Sequence, residues 1–269
     1  MRGAHQDPRR IPFIENLLEI DLRGCEFIRP AAVLWCLIYP LLARARGSTC
    51  RVLVPESMGV TLYLKSLGFF QILHDDHIEA DDRDIRVRHD SRVVLPITKF
   101  STQNEVDEIG NQVASSLSDS RMGAANLYSA VSEIFSEIAL NAAEHAESGI
   151  GALGFIQFYE FQEGHRFICA VADGGIGIKR SLEKNPVYAN SFFYDHDAIE
   201  RAIEERVSGT GLSTRGIGLH GVSEDMKLPG RNLIIHSGKG SLKIEGGIQR
   251  RARRVNLFPG TLVYASIPT

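Results

Sequence analysis

The stretch that decides the fold is Arg166–Gly177, RFICAVADGGIG, in which an apolar run leads directly into a glycine cluster. The run Arg166–Ala172 predicts a strand, and DGGIG follows at its end. A carboxylate at that position, Asp173, can accept the amino group of a purine, and the glycines beside it let a flat ring lie against the backbone. Taken alone, DGGIG is also compatible with an ordinary turn.

A long helix is predicted upstream, over residues 124–146 (AANLYSAVSEIFSEIALNAAEHA). Glu137, Asn141 and His145 are spaced four residues apart, so their side chains project from one face of that helix. On such a face, one side chain can polarise a water molecule while its neighbour holds a metal ion. The same trio is also compatible with the solvated face of an amphipathic helix.

Two further glycine-containing segments follow. Gly209–Val222 (GTGLSTRGIGLHGV) contains Gly216-Ile217-Gly218-Leu219 at the start of a helical pattern, where free backbone N–H groups can hold a phosphate. The segment FPGT ends at Thr261, directly before a predicted final strand, Leu262–Ile267, and another strand is predicted at Leu233–His236. A hydroxyl and a turn N–H at Thr261 could reach the same pocket as Asp173.

These motifs occur in one order: ExxxN on a helix, DxGxG after a strand, GxGL before a helix and Gly-Thr before a last strand. In that combination residues 102–269 resemble the ATP-binding domain of the GHKL class, which includes histidine kinases, DNA gyrase B, MutL and the ninety-kilodalton heat-shock chaperone. The resemblance implies a Bergerat fold, a two-layer α/β sandwich. It also implies ATP and Mg²⁺ as cofactors.

Carried over residue by residue, the resemblance implies that Asn141 coordinates Mg²⁺ and that Glu137 orients or deprotonates the attacking water. Asp173 would recognise adenine, Thr261 would close the adenine side, and Ile178–Thr214 would form a mobile lid. Arg215 and Lys179 are candidates to neutralise γ-phosphate charge, although exposed loop positions are an equal interpretation. The full set of cofactor-binding candidates is Asn141, His145, Asp173, Gly175, Gly177, Arg215, Gly216, Ile217, Gly218, Leu219 and Thr261.

The N-terminal part has a different pattern. A strand at Leu17–Asp21, an apolar helix at Ala31–Arg46 and a strand at Arg51–Pro55 predict a parallel pair covered by a helix. This series resembles a STAS domain, the fold of anti-sigma-factor antagonists. Members that are phosphorylated carry a serine at the start of the first helix, but the matching segment, Phe27–Ala32 (FIRPAA), has no hydroxyl. We therefore expect a docking or scaffold role, with a STAS-like domain over 1–85 and the GHKL-like domain over 86–269.

The charge and the apolar stretches of the sequence limit the classes of partner that we expect. The formal net charge is −3, which gives no overall basic excess for nucleic acid, and the run Arg250–Arg254 (RRARR) is interpreted as a solvated hairpin or a local contact surface. The longest apolar stretch, Ala31–Ala43, is too short to span a bilayer. The four cysteines lack CxxC spacing and are expected to be buried thiols. We expect a cytoplasmic protein that binds neither nucleic acid nor membrane.

The leading functional hypothesis is an ATP-binding, slowly ATP-hydrolysing module whose nucleotide state regulates binding of a partner protein. One alternative is a serine/threonine protein kinase similar to the anti-sigma factors. Another is a non-catalytic scaffold that uses nucleotide only as a structural ligand. A sensor histidine kinase ranks lowest because no helical hairpin with a phosphoacceptor histidine is predicted. Both resemblances also allow a homodimer.

Overall fold

The N-terminal part of the chain forms a three-stranded parallel sheet with strand order β1-β2-β3. The computed structural model describes residues 17–82, 92–119, 125–161, 164–205, 207 and 218–269. The elements of this part are β1 (Leu17–Asp21), α1 (Pro30–Ala45), β2 (Thr49–Leu53), α2 (Met58–Ser66), α3 (Phe69–Asp75) and β3 (Glu79–Ala80). The predicted strand-helix-strand unit and its parallel pairing are confirmed. The predicted boundary between 85 and 86 lies outside the described residues.

Helix α1 begins and ends where its sequence favours it. Pro30 occupies the first turn, where a missing N–H costs nothing, and Gly47 follows the helix with φ +86°. Its apolar residues recur at helical spacing and form one face of the helix. The residues of this face that are fully or almost fully buried are Val33, Leu34, Leu37, Ile38 and Leu41.

A five-stranded sheet occupies the rest of the chain, with strand order β4-β5-β6-β8-β7 and every neighbouring pair antiparallel. The protein is therefore mixed α/β, as predicted. The elements are β4 (Val93–Phe100), α4 (Gln103–Asp119), α5 (Ala125–His145), β5 (Ala152–Phe161), β6 (Gly164–Asp173), α6 (Gly177–Glu183), a 3₁₀ turn (Pro186–Tyr188), α7 (Asp195–Ala202), α8 (Gly218–Asp225), β7 (Asn232–Glu245) and β8 (Ile248–Pro268).

Both faces of this sheet are buried. Alternate residues of β6 point to opposite faces, so Phe167, Cys169 and Val171 belong to a core shared with α4, α5 and α8. The intervening residues, Ile168 and Ala170, belong to a second core that contains α1 and the N-terminal sheet. The N-terminal unit thus covers the face that α4, α5 and α8 leave open.

Three contacts fix α1 on the five-stranded sheet. The rings of Trp35 and Phe258 lie 5.0 Å apart, and the Tyr39 hydroxyl donates a 2.8 Å hydrogen bond to the carbonyl of Leu257 in β8. Near the other end of the helix, the Leu42 side chain lies so close to Gly174 that a Cβ there would be 2.8 Å from it. The N-terminal unit therefore reaches the glycine cluster that follows β6.

The last two strands are longer than predicted. Leu233–His236 is only the start of β7, and Leu262–Ile267 is only the end of β8. Consequently Thr261 lies inside β8, and Arg250–Arg254 is part of a strand. The hairpin turn is instead at Gly246 and Gly247, whose φ angles of +58° and +83° suit a two-residue turn.

Within the described residues, none of the helices has the length and apolar character needed to cross a membrane.

Candidate functional site

Asp173, the last residue of β6, carries the most constrained carboxyl of the site. Its side chain is 3% exposed, and Oδ1 accepts hydrogen bonds from the N–H groups of Gly175 (2.8 Å) and Thr261 (3.2 Å). Burial raises the pKa of this carboxyl to about 7, against the lowering effect of the two N–H groups. Within the described part of the chain both of these bonds end on Oδ1, which leaves Oδ2 for a ligand.

Gly260 makes the contact between Asp173 and Thr261 geometrically feasible. Its φ of +99° lies in the region that favours glycine, and a Cβ at this position would be 2.2 Å from the carbonyl oxygen of Asp173. The glycine therefore lets β8 approach β6 closely enough for the Thr261 N–H to reach the carboxyl.

The glycine cluster after β6 is seated on the end of α5. A Cβ at Gly175 would be 1.8 Å from the carbonyl oxygen of Ala146, and the N–H of Ile176 donates to that oxygen at 2.8 Å. Gly175 is thus required by close backbone approach. Gly175 does not line the cavity, and its contact with Ala146 fixes the loop to the end of the helix.

Ser237 is a buried site residue that sequence reasoning missed. It is 2% exposed, accepts a 2.8 Å hydrogen bond from the N–H of Ile178, and lies 3.1 Å from the Thr261 hydroxyl. Its Oγ also donates to the carbonyl of Gly260 at 3.1 Å. One hydroxyl in β7 therefore joins the start of α6 to the Gly260-Thr261 pair. The signal in the sequence was a hydroxyl directly after a predicted strand, Leu233–His236.

These elements enclose a cavity with an empty volume of about 810 Å³, the solvent at its mouth included. Six of the predicted residues line it: Asn141, His145, Asp173, Gly177, Leu219 and Thr261. Most of the remaining wall is apolar and comes from α5, α6, α7 and the sheet: Ile138, Ala142, Val171, Ile178, Leu182, Ala202, Val207 and Val263.

Two residues of the predicted polar stripe of α5, Asn141 and His145, line this cavity, whereas Glu137 does not line it. The Asn141 side chain donates from Nδ2 to the carbonyl of Glu137 at 2.7 Å, so its amide oxygen is the atom available to a cation. Gly218, at the start of α8, lies against both residues, since a Cβ there would be 2.3 Å from Glu137 Oε2 and 3.3 Å from Asn141 Nδ2. The beginning of α8 and the stripe of α5 therefore belong to one site.

The carboxyl of Glu137 has a pKa above the usual value for glutamate. Partial desolvation is the largest cause of this raised pKa, and the negative charges of Glu133 and Glu144 add to it. His145 lies farther along the stripe, with Nε2 3.9 Å from Glu144. Over the described residues, His, Cys, Asp and Glu form no group of three or more that could hold a metal ion. A cation at Asn141 would take its other ligands from water or from a bound anion.

The segment that was predicted to be a mobile lid is largely folded where it is described. It contains α6, the 3₁₀ turn and α7, which share a small apolar cluster of Leu182, Ala198, Ala202 and Val207. Three predicted site residues, Arg215, Gly216 and Ile217, lie outside the described residues. Lys179 does not line the cavity beside Asp173.

No protein-family model matches the chain, and searches of curated proteins and of solved structures found no match.

The chemistry of the site follows from its parts. The apolar wall of the cavity accommodates an organic group, and the buried carboxyl of Asp173 favours a group that carries a hydrogen-bond donor. The stripe of α5 offers an amide oxygen at the cavity wall, from Asn141, and a carboxylate one turn away, from Glu137, which lies beside Gly218 of α8.

Proposed function

We propose that this chain is an ATP-binding module of the GHKL class, with a Bergerat fold over its C-terminal part and a STAS-like unit before it. The observation that carries the proposal is the carboxyl of Asp173, which is buried, held through Oδ1 by two backbone N–H groups, and located in an apolar cavity. The adenine amino group would donate to Oδ2. Thr261 and Ser237 keep the backbone around that contact in place.

In this proposal the polar stripe of α5 lies at the phosphate groups of the bound ATP. The amide oxygen of Asn141 would be one ligand of Mg²⁺, and an ion that keeps most of its waters and binds phosphate oxygens needs few protein ligands. Glu137, with its raised pKa, would orient a water molecule and accept its proton. Gly218 lies beside both side chains, which is consistent with phosphates entering between α5 and α8.

The two units would form a nucleotide-dependent regulatory switch. Helix α1 contacts Gly174, directly after Asp173, and it contacts Leu257 and Phe258, a short distance before Thr261 in β8. A ligand that shifts either segment would thus be sensed by the N-terminal unit, whose role would be to bind a regulatory protein partner.

The first experiment measures ATP and ADP binding with Mg²⁺ by calorimetry. We expect Asp173→Asn to weaken both by about tenfold to a hundredfold, because an amide directed at the adenine amino group offers a donor to a donor. Asp107→Asn, at an exposed position of α4, is the matched control and should bind as the parent does. A parent protein that binds neither nucleotide would contradict the proposal.

Phosphate release separates the catalytic assignments from binding. Glu137→Gln should keep ATP affinity within about threefold and lose at least about tenfold in rate, as is usual for removal of a general base. Asn141→Ala should lose the Mg²⁺ dependence of binding. The controls on α4 are Glu108→Gln and Asn111→Ala, both exposed. Transfer of labelled γ-phosphate to a second protein, instead of release, would favour the protein-kinase alternative.

A further inference from the structure

A second cavity lies on the other side of α6 and shares no lining residue with the first. Ile178 lines the first cavity, and its neighbour Lys179 lines the second. The walls come from α6, from the start of α7 and from the antiparallel hairpin of β7 and β8, which we call the ribbon. The lining residues are Lys179, Phe193, Tyr194, Asp195, His196, Lys239 and Arg254.

Two glycines in β7 allow the ribbon to lie close to α7, with Lys239 at this cavity. A Cβ at Gly238 would be 2.7 Å from the Asp195 carboxyl, and a Cβ at Gly240 would be 2.5 Å from the N–H nitrogen of His196. The N–H of Lys239 donates to Asp195 Oδ2 at 2.8 Å. Two glycines therefore let β7 lie against the first turn of α7, with the lysine between them.

The charges around the cavity do not balance. Three cations from three different elements, Lys179, Lys239 and Arg254, face a single carboxylate, Asp195. Asp195 already accepts the N–H of Lys239, and Lys179 forms an ion pair with Glu183, outside the lining, at 4.0 Å. In the part of the chain that the structure describes, the side chains of Lys239 and Arg254 take part in no ion pair. The lining has two more positive than negative charges, so an anion of charge −2 would neutralise it.

Aromatic rings form the rim of the same cavity. Tyr194 and His196 stack with centroids 5.0 Å apart and planes at 11°, and Phe193 meets Tyr194 edge-on at 4.6 Å. Phe193 is 81% exposed, which is unusual for a phenylalanine that has no ligand to contact. The rim can therefore contact an organic group attached to the anion.

We propose that this cavity binds a phosphate monoester dianion, carried either by a phosphorylated side chain of a partner protein or by a small free ester. A phosphate monoester carries nearly two negative charges at neutral pH and three acceptor oxygens. Arginine binds such a group through its planar fork, and lysines add point charges. The aromatic rim contacts the esterified group. This inference does not depend on ATP binding at Asp173.

The test uses calorimetric titration in a chloride buffer with four probes: inorganic phosphate, methyl phosphate, a blocked pentapeptide with one phosphoserine, and its unphosphorylated twin. We expect the phosphorylated probes to bind and the unphosphorylated peptide not to bind. A phosphopeptide that binds about tenfold more tightly than methyl phosphate assigns the site to a protein partner. Equal affinities assign it to a free ester. In both cases affinity should fall as salt is raised, because the cations at the mouth are exposed.

Variants locate the binding. Arg254→Gln and Lys239→Gln should each lower affinity for the phosphorylated probes by about tenfold and leave the melting temperature unchanged. Arg253→Gln is the matched control, since Arg253 is the exposed neighbour of Arg254 in β8 and does not line the cavity.

Two results would overturn the proposal: no binding of any phosphorylated probe at millimolar concentration, or equal losses in Arg253→Gln and Arg254→Gln.

Discussion

At the scale of single residues, the carboxyl of Asp173 has two roles, one in holding the fold together and one toward a ligand. Its Oδ1 is a structural acceptor that joins the loop after β6 to β8, through the N–H groups of Gly175 and Thr261. Its burial makes the charged form costly, and this is why its pKa lies near 7 in the fold, compared with about 3.9 for an unfolded chain. The same residue therefore contributes to folding and is available to a ligand.

The raised pKa of Asp173 predicts how stability depends on pH. Between about pH 4 and 7 the native carboxyl holds a proton that the unfolded one has lost, so the free energy of unfolding falls as pH rises and levels off above the native pKa. Asp173→Asn removes this term. We expect the stability of the variant, measured against the parent by urea unfolding, to increase by about 2 kcal/mol from pH 5 to pH 8.

Asp107→Asn is the control for this pH dependence, because its exposed side chain should give a pH profile parallel to that of the parent. Parallel profiles for the parent and Asp173→Asn would mean that the Asp173 carboxyl titrates as an exposed group does.

At the scale of elements, the site depends on how closely loops approach the ends of helices. Gly175 touches the carbonyl end of α5, and Gly218 begins α8 beside the polar stripe of α5. Gly260 allows β8 to approach the end of β6. These contacts hold α5, α6, α8 and the sheet around one cavity, and they join segments that lie far apart in the chain.

Replacement of Gly175 tests the contact between the loop and α5. A Cβ there would lie 1.8 Å from a backbone oxygen, so Gly175→Ala must displace either the loop or the helix end. We expect a loss of about 3 kcal/mol or more in the free energy of unfolding by urea. Gly221→Ala in α8 is the control, because nothing lies within 4 Å of a Cβ there and helix propensity favours alanine by about 1 kcal/mol. Equal stabilities of Gly175→Ala and the parent would contradict the close contact.

The sequence predicted elements better than their extents. The apolar spacing of α1 and α5 and the run in β6 correspond to real elements because each carries its own periodicity. The true lengths of β7 and β8 were not predictable, since glycines and arginines between Gly238 and Gly260 look like turn residues, whereas here they lie in strands with register shifts. Ser237 was missed for a different reason, because the hydrogen bonds that define its role are long-range.

At the scale of the whole molecule, the five-stranded sheet is an antiparallel sheet with apolar residues on both faces. Such sheets commonly leave one face to solvent, so the second apolar face requires a cover. The N-terminal unit supplies that cover through α1. Sequence patterns indicated each unit separately but not their contact, because an apolar face has the same composition whichever element packs on it.

This shared core predicts a single unfolding transition for the two units. The only tryptophan of the chain, Trp35, lies on α1 against Phe258 of β8, so its fluorescence reports the contact between the units. We expect the urea midpoints from tryptophan fluorescence and from far-ultraviolet circular dichroism to coincide. Leu42→Ala should shift both midpoints together by an amount that corresponds to about 2 kcal/mol. An earlier fluorescence transition would mean that α1 leaves the sheet before the sheet unfolds.

The position of β8 also has a consequence for how the protein is made. It is the last of the described strands in the chain, yet it lies between β6 and β7 and carries both Phe258 and Thr261. During synthesis, α1 therefore emerges from the ribosome some two hundred residues before β8, and the part of its apolar surface that packs on β8 stays uncovered until then. Newly made chains should therefore bind chaperones that shield apolar surface, and this binding should end only once β8 has been translated.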